Sequence, residues 1–191
     1  MRSLSLILLG FLSCLLGISC VEYTPKPRGY VRIEPTEAVY DTLPIQDSPF
    51  RFVVSNAVTI EWTGKEGHEG LNLTYPELGA TIYCHYLPVT PATWPIVEAE
   101  SRSFAIHQLK PAGEISEKAY ENPEANVYGS LFLLDGGSAS PIQFLLTDSV
   151  SQCFRGALYF DCKPNADSLA PAIHYIQQDI IELIQTFEWR K

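Results

Sequence analysis

Residues 127–162 have the sequence VYGSLFLLDGGSASPIQFLLTDSVSQCFRGALYFDC and decide the fold of this chain. Runs rich in β-branched and aromatic residues predict three strands, at 127–134, 142–147 and 154–162. The two connections between them are too short for the crossover that parallel strands need, so the strands form an antiparallel meander. The run Leu-Phe-Leu-Leu at 131–134 is apolar on both alternating faces and predicts a central strand that is covered on both sides.

A long helix is predicted directly after the meander. Asp167 and Ser168 are suitable N-cap residues, and Pro171 is tolerated in a first helical turn. Apolar residues then recur at spacings of three and four and predict the face that packs on the core: Leu169, Ile173, Ile176, Ile180, Leu183, Ile184 and Phe187. The carboxylates Asp179 and Glu182 are most simply explained as part of the solvated face of this helix.

Strand-like and helical patterns also precede the meander. Segments rich in β-branched and aromatic side chains predict strands at 50–54, 57–62, 71–75 and 80–87. From Pro95 to Gln108 the period becomes that of a helix. Five residues share the predicted buried face of this helix: Val97, Ser101, Phe104, Ala105 and Gln108.

The fold class predicted from these segments is α+β: a mainly antiparallel sheet covered by helices, in an α/β sandwich with a long C-terminal helix. The element order resembles the Mog1/PsbP-like architecture, and an architecture does not fix a function. Residues 30–191 have the usual size of one domain and are long enough to bury a core, so they predict a single globular domain.

The N-terminal residues predict an export signal that ends in a lipid anchor. One positive charge at Arg2 precedes an apolar run, and small or aliphatic residues then lead to Cys20. The apolar run of about 13 residues is shorter than the roughly 18 that a spanning helix needs. Cleavage before Cys20 resembles bacterial lipoprotein processing, which makes residues 1–19 a signal peptide and Cys20 the acylated residue, carrying chains such as palmitate. The alternatives are an ordinary secretory signal, or Cys14 as the acceptor.

Residues 20–29 are predicted to form a lipidated tether. Pro25 and Pro27 alternate with basic residues and favour an extended conformation that reaches roughly 28 Å. The chain carries 13 Lys and Arg against 22 Asp and Glu, a formal net charge of −9. Phosphate backbones and anionic headgroups repel such an acidic protein, which argues against nucleic-acid binding and electrostatic membrane docking. The lipid at Cys20 is then the expected membrane contact.

Beyond the signal and the anchor, the chain has three cysteines, Cys84, Cys153 and Cys162, and at least one must stay unpaired. An oxidising compartment allows one disulfide between any two of them, and buried inert thiols are an equal alternative. No metal or cofactor is expected. Cys84 and its neighbour His85 point to opposite faces of a strand, so they cannot easily bind one zinc ion.

Two segments that resemble enzyme motifs do not have the residue spacing that those motifs require. Residues 136–140 lack the last glycine of a nucleophile elbow and precede a proline, so they predict a hairpin turn instead. His68 has no second histidine in the register of a helical zinc site. Three Asp-Ser/Thr-apolar segments resemble an O-glycan acceptor of some bacteria and make Thr42, Ser149 and Ser168 candidate glycosylation sites. The alternative is that these hydroxyls bond the local backbone, and it suits Ser168 best.

Several segments resemble the gliding-motility-associated lipoprotein family GldD. They are PKPRGY at 25–30, VYG at 127–129, QFLLTDS at 143–149, RGALYF at 155–160, DSLAP at 167–171 and the stretch from Asp179 to Trp189. The resemblance implies a cell-envelope lipoprotein that is needed for gliding, is linked to type IX protein secretion and is not an enzyme. The expected location is the cell envelope, with the lipid in a membrane and the domain in the periplasm, and the inner leaflet of the outer membrane is preferred.

The function expected from this resemblance is a tethered module that assembles or stabilises other envelope proteins of gliding motility and secretion. Arg28, Tyr30 and Arg155 are candidate partner-binding residues because the core does not obviously need their polar tips; the alternative for Arg155 is local pairing in a strand. The alternative function is a periplasmic small-ligand binder. Its possible lining aromatics are Tyr75, Tyr83, Tyr86 and Trp94, and the oligomeric state is left open.

Overall fold

The structure is a computed structural model that describes residues 38–43, 48–64, 69–111, 113–163 and 165–190. The strands are β1 (Tyr40–Thr42), β2 (Phe50–Arg51), β3 (Val53–Ser55), β4 (Thr59–Thr63), β5 (Gly70–Tyr75), β6 (Ala80–Pro88), β7 (Ile115–Asn122), β8 (Val127–Leu134), β9 (Ile142–Thr147), β10 (Gln152–Phe160) and β11 (Glu188–Trp189). The helices are α1 (Trp94–His107) and α2 (Ala166–Gln185), and a 3-10 turn covers Pro76–Leu78.

One large antiparallel sheet organises the described part of the chain. Its seven strands lie in the order β4-β5-β6-β10-β9-β8-β7, so the predicted meander of β8, β9 and β10 is confirmed. Two short ribbons, β1 with β3 and β2 with β11, complete the strand pairing. The predicted α+β class is confirmed, while the Mog1/PsbP likeness stays an analogy.

The first face of the sheet is closed by α2 and by the aromatic residues next to the small ribbons. Ile176, Ile180 and Leu183 of α2 pack with the buried side chains of β5, β6, β9 and β10, as the apolar stripe predicted. Phe154 lies 4.6 Å from Phe50 and 5.2 Å from Phe187, measured between ring centroids. Each fully buried side chain of this size contributes about 1.5–3 kcal/mol relative to an exposed one. This face holds most of the core.

The second face of the sheet is covered only in part. Ala105 of α1 packs on Phe132 and Leu134 of β8. Trp94 and Val97, at the start of α1, pack near Leu145 of β9 and the first residues of β10. Helix α1 therefore covers the side of β8 and β9, and the side chains of β6 and β10 beside it remain open to solvent.

Several sequence-based boundaries agree with the structure and others are corrected. The strands at 127–134 and 142–147 have the predicted bounds, but β9 rather than β8 is the strand whose residues are all buried. The last helix begins after Asn165, two or three residues earlier than predicted, so Pro171 lies in its second turn. Phe104 is half exposed instead of buried because it lies beside the open part of the sheet. Residues 1–37, including the predicted signal and tether, lie outside the described ranges.

Candidate functional site

A groove of about 220 Å³ lies between α1 and the part of the sheet that α1 leaves open. Its walls come from β6, β8, β9, β10 and α1. The residues that give it its chemistry are Tyr83, His85, Phe104, Gln143, Arg155 and Tyr159. A concave site with apolar walls and a few convergent polar groups has the usual make-up of a ligand site.

Strand alternation brings the sheet residues of the groove to one face. Along β6, Ile82 and Cys84 point into the closed core, so Tyr83 and His85 point to the opposite face. His85 is paired in register with Arg155 of β10, and Ala157 is paired both with Tyr83 and with Gln143 of β9. Paired strands lie about 4.8 Å apart, which makes these side chains direct neighbours.

Aromatic rings form the apolar walls of the groove. Tyr83 and Tyr159 meet edge to face with their ring centroids 5.8 Å apart. Phe104 on α1 has 48 % of its surface exposed, and the buried Phe132 of β8 also lines the groove. A flat apolar group entering the groove would meet these rings in the edge-to-face or offset arrangements that aromatic pairs prefer.

Gln143 is a buried amide whose Nε2 atom has no hydrogen-bond partner among the described residues. Its side chain is only 6 % exposed and lines the groove, and its Nε2 atom makes no hydrogen bond with any described residue. An unpaired buried donor costs about 1–3 kcal/mol. Such a cost in a strand that is otherwise well packed points to a role for the amide in binding.

Arg155 supplies the positive charge of the groove. Among the described residues that line the groove there is no Asp or Glu, and no described carboxylate forms an ion pair with Arg155. Burial lowers the pKa of His85, and the charge of Arg155 lowers it further, so His85 is neutral at pH 7. The groove therefore carries a single positive charge at neutral pH.

Arg102, on α1, contrasts with Arg155. It donates a hydrogen bond to Glu117 of β7, lies 3.8 Å from Glu98 and stacks 5.6 Å from the ring centroid of Phe132. Glu117 also accepts a hydrogen bond of 2.8 Å from Ser130. These contacts engage the charge of Arg102 and fasten α1 to β7 and β8, which fixes one side of the groove.

A comparison with known protein families shows to which family this chain belongs. The family model described as gliding motility lipoprotein GldD matches residues 20–189. The chain belongs to the GldD family. No curated protein matches it significantly. GldD is a family of motility-associated lipoproteins rather than a known family of enzymes.

Of the residues proposed from the sequence as partner-binding, the structure places one in the groove of this GldD-family chain. Arg155 lines the groove, whereas Arg28 and Tyr30, like the predicted lipidation residue Cys20, lie outside the described residues. Of the four aromatic residues proposed to line a ligand cleft, Tyr83 lines the groove. The other three lie elsewhere: Tyr75 and Tyr86 pack with the closed core, and Trp94 packs near Cys153.

The three candidate glycosylation residues are exposed, and their glycosylation stays a prediction. Ser168 donates a hydrogen bond to the backbone oxygen of Asn165, 3.3 Å away, which fits the local backbone role proposed for it. The backbone amide of Ser149 donates to Thr147 Oγ1 over 2.9 Å. Thr42 ends β1.

The cysteines of the GldD-family domain are free thiols. Cys84 and Cys153 are buried, and Cys162 is exposed. Burial raises the pKa of Cys153 to about 12 and also raises the pKa of Cys84, so both thiols stay protonated at neutral pH. Within the described ranges, no group of three or more His, Cys, Asp or Glu residues is placed to hold a metal ion.

Asp179 corrects the expectation of a solvated carboxylate. It is buried on the core-facing side of α2 and accepts hydrogen bonds from Tyr40, at 2.7 Å, and from Tyr75, at 3.0 Å. Burial raises the pKa of Asp179, although the hydrogen bonds from Tyr40, Tyr75 and Ser55 act in the opposite direction. The cluster ties β1 and β5 to α2 and is structural.

Gln143 and Tyr159 were not predicted from the sequence as groove residues, and Phe104 was predicted to lie on the buried face of α1. One signal was present: Gln143 is the only amide in the strand IQFLLT, in which every other residue except the last is apolar. Whether Nε2 finds a partner among the described residues depends on how α1 and β10 pack around it, and a local sequence pattern does not show this.

Proposed function

We propose that this chain is a membrane-tethered, non-enzymatic interaction module of gliding motility that is linked to type IX protein secretion. Membership of the GldD family supports the motility role, and the matched range begins at Cys20, the proposed lipid-bearing residue. Neither helix in the described part of the chain could span a bilayer. The proposal places the lipid in the inner leaflet of the outer membrane and the domain in the periplasm.

The observation that carries the interaction role is a set of three exposed apolar side chains on α1. Ile96, Phe104 and Ile106 are 57 %, 48 % and 52 % exposed. Single exposed apolar residues are normal on a soluble surface, but several on one helix beside an open groove are typical of a partner interface. The partner that fits is an envelope protein of the motility and secretion apparatus with an apolar contact surface and a basic rim, since this chain is acidic.

The test replaces two of these apolar residues in the native protein. Ile96→Asp with Ile106→Asp should abolish colony spreading and reduce co-purification of envelope partners, because buried carboxylates at an interface are left without compensation. Val39→Asp is the control, since Val39 is similarly exposed, at 60 %, but precedes Tyr40 of β1, which contacts α2. Normal spreading of the double variant, with normal protein level, would contradict the proposal.

A substitution of the proposed lipid-bearing residue gives a second test of the same function. Cys20→Ala should leave a folded domain that no longer supports spreading, because the domain is no longer held near its partners. Full spreading of a variant that is shown to be unacylated would show that the tether is dispensable.

The groove favours a second candidate function, binding of a small ligand in the periplasm. The specific observation is the buried Gln143 amide, whose Nε2 has no partner among the described residues. This candidate predicts saturable binding of a small ring compound to the purified lipoprotein. It is abandoned if none of a set of acidic, neutral and basic ring compounds binds.

A further inference from the structure

We propose that the groove binds a small aromatic monocarboxylate, with Arg155 and Gln143 holding the carboxylate and the aromatic walls enclosing the ring. This inference rests on the second candidate function, ligand binding in the groove, and adds the chemical class of the ligand. It does not depend on the role of α1 in binding an envelope partner.

The charge of the groove selects an anion. The chain as a whole is acidic and repels anions, yet Arg155 enters the groove without a carboxylate partner among the described residues. A guanidinium group presents parallel N–H donors that match the two oxygens of a carboxylate. A cationic ligand would be repelled by Arg155, and a neutral ligand would leave this charge without a counterion.

The position of Gln143 places a second donor near the same oxygens. Gln143 is paired with Ala157, so it lies diagonal to Arg155 on the neighbouring strand. Diagonal neighbours lie roughly 7–8 Å apart, with their Cβ atoms somewhat closer, and long side chains can span this distance. The unpaired Nε2 of Gln143 can therefore donate to a carboxylate that Arg155 holds, and this removes the cost of the buried donor.

The size and walls of the groove select a single ring. An apolar cavity of about 150 Å³ holds one benzene molecule, so 220 Å³ admits one ring with a short acid-bearing arm. Phe104, Tyr83 and Tyr159 provide faces and edges for that ring. A molecule such as 3-phenylpropionate has the required combination of ring, arm and charge.

A free ligand fits the groove better than the end of a peptide chain. The groove lies over β6, β10 and β9, which are internal strands of the sheet with hydrogen-bonded neighbours on both sides. An extended peptide usually binds by adding a strand to a free sheet edge, and the groove offers no such edge. Recognition there depends on side chains alone.

The experiment measures binding by calorimetric titration of the mature lipoprotein in lipid nanodiscs, with empty nanodiscs as the blank. Three probes share one ring and one arm length but differ in charge: 3-phenylpropionate, 3-phenylpropionamide and 3-phenylpropylamine. A tripeptide that ends in Phe, with a free or an amidated carboxyl group, forms the fourth and fifth probes. The proposal expects saturable binding of 3-phenylpropionate, at least about tenfold tighter than binding of its amide.

Two groove variants and one control variant test whether the probe binds in the groove. Arg155→Gln should weaken binding of the acid at least about tenfold while leaving any weak binding of the amide unchanged, because only the acid uses the charge. Gln143→Met should weaken binding of the acid by a smaller factor. Lys118→Gln is the matched control, since it removes the same charge from an exposed position on β7, outside the groove, and it should bind the acid as the native protein does.

Each alternative outcome overturns the proposal in a different way. Equal binding of the acid and the amide, or tighter binding of the amine, would show that the groove binds ligands but that the carboxylate class is wrong. Binding of the peptide acid alone would show that the occupant is a chain end and not a free ligand. If no probe binds, both the ligand class and the second candidate function are wrong.

Discussion

The two faces of the large sheet are built in opposite ways. On the face covered by α2, Phe144 packs so closely on Gly156 that a Cβ atom there would lie 2.4 Å from two atoms of the ring. On the face beside α1, strands β6, β9 and β10 carry the half-exposed ring of Tyr83 and two polar groups. Among the described residues, the Nε2 atom of Gln143 has no hydrogen-bond partner and the guanidinium group of Arg155 has no carboxylate partner. The closed face provides stability. The open face gives up some stability for groups that bind, which is the usual compromise at functional sites.

The largest expected difference between the faces comes from a matched pair of phenylalanines. Phe154→Ala on the closed face should lower the free energy of unfolding by about 4 kcal/mol, because Phe154 is fully buried among other rings. Phe104→Ala on the open face should change it by less than about 0.5 kcal/mol. Urea denaturation measures both, and similar losses for the two variants would break the distinction between the faces.

A second pair of substitutions compares the two faces along one strand. Gly156→Ala should destabilise the domain by about 3 kcal/mol, because the added methyl group overlaps the ring of Phe144. Ala157→Ser adds one atom at the next position, which faces the groove, and should change stability by less than about 0.5 kcal/mol. Thermal unfolding of both variants checks this, and a harmless Gly156→Ala would show that Phe144 moves aside easily.

Asp148, in the turn between β9 and β10, gives a prediction that depends on pH. Burial alone would raise the pKa of Asp148, but hydrogen bonds from the Ser151 hydroxyl and from the backbone amides of Ser151, Val150 and Gln152 together lower it to about 2. A carboxylate whose pKa is lowered by folding stabilises the folded state above its ordinary pKa, and this contribution is lost as the pH falls toward 2.

Asp148→Asn should therefore lower the free energy of unfolding by about 2 kcal/mol at pH 7. The difference between variant and native protein should shrink as the pH is lowered from about 4 to about 2. Denaturation curves at pH 7, 4 and 2.5 test this, and a difference that does not depend on pH would show that the charge is not the cause.

The smallest expected effect is an increase in the free energy of unfolding, and it comes from a substitution of Gln143. Gln143→Met should stabilise the domain by about 1 kcal/mol, because it removes a buried donor that has no partner among the described residues. Thr147→Val on the same strand is the control. Thr147 donates to the backbone oxygen of Gln152 over 2.8 Å, so its loss should destabilise by about 1 kcal/mol. A destabilised Gln143→Met variant would mean that the amide is part of the structural core.

The closed face could be predicted from the sequence better than the open one. The strands at 127–134 and 142–147 and the α2 stripe follow from local periodicity, which the core imposes directly. Strand β7 was missed because its sequence, ISEKAYEN, is that of an exposed edge strand with no apolar alternation. Asp179 has the spacing of the apolar stripe of α2, three residues after Ile176 and four before Leu183. Its burial could not be predicted because it depends on hydrogen bonds from two residues distant in sequence, Tyr40 and Tyr75.

The groove could not be predicted because it depends on contacts between distant parts of the chain. Arg155 meets His85 through the register of β10 with β6, which are far apart in sequence. The position of α1 decides which side chains on that face stay open, and α1 is fastened by Arg102 and Glu117 rather than by a recognisable motif. Of the groove residues, only Arg155 and Tyr83 had a candidate binding role from the sequence.

Photocrosslinking in living cells tests most directly the claim that the α1 side faces the partners. A photoreactive phenylalanine derivative replaces Ile96 on α1 in one strain and Gln178, an exposed residue on α2, in another. The account predicts a crosslink from position 96 to an envelope protein that mass spectrometry identifies as part of the motility or secretion apparatus, and none from position 178. A crosslink to that apparatus from position 178 alone would contradict it.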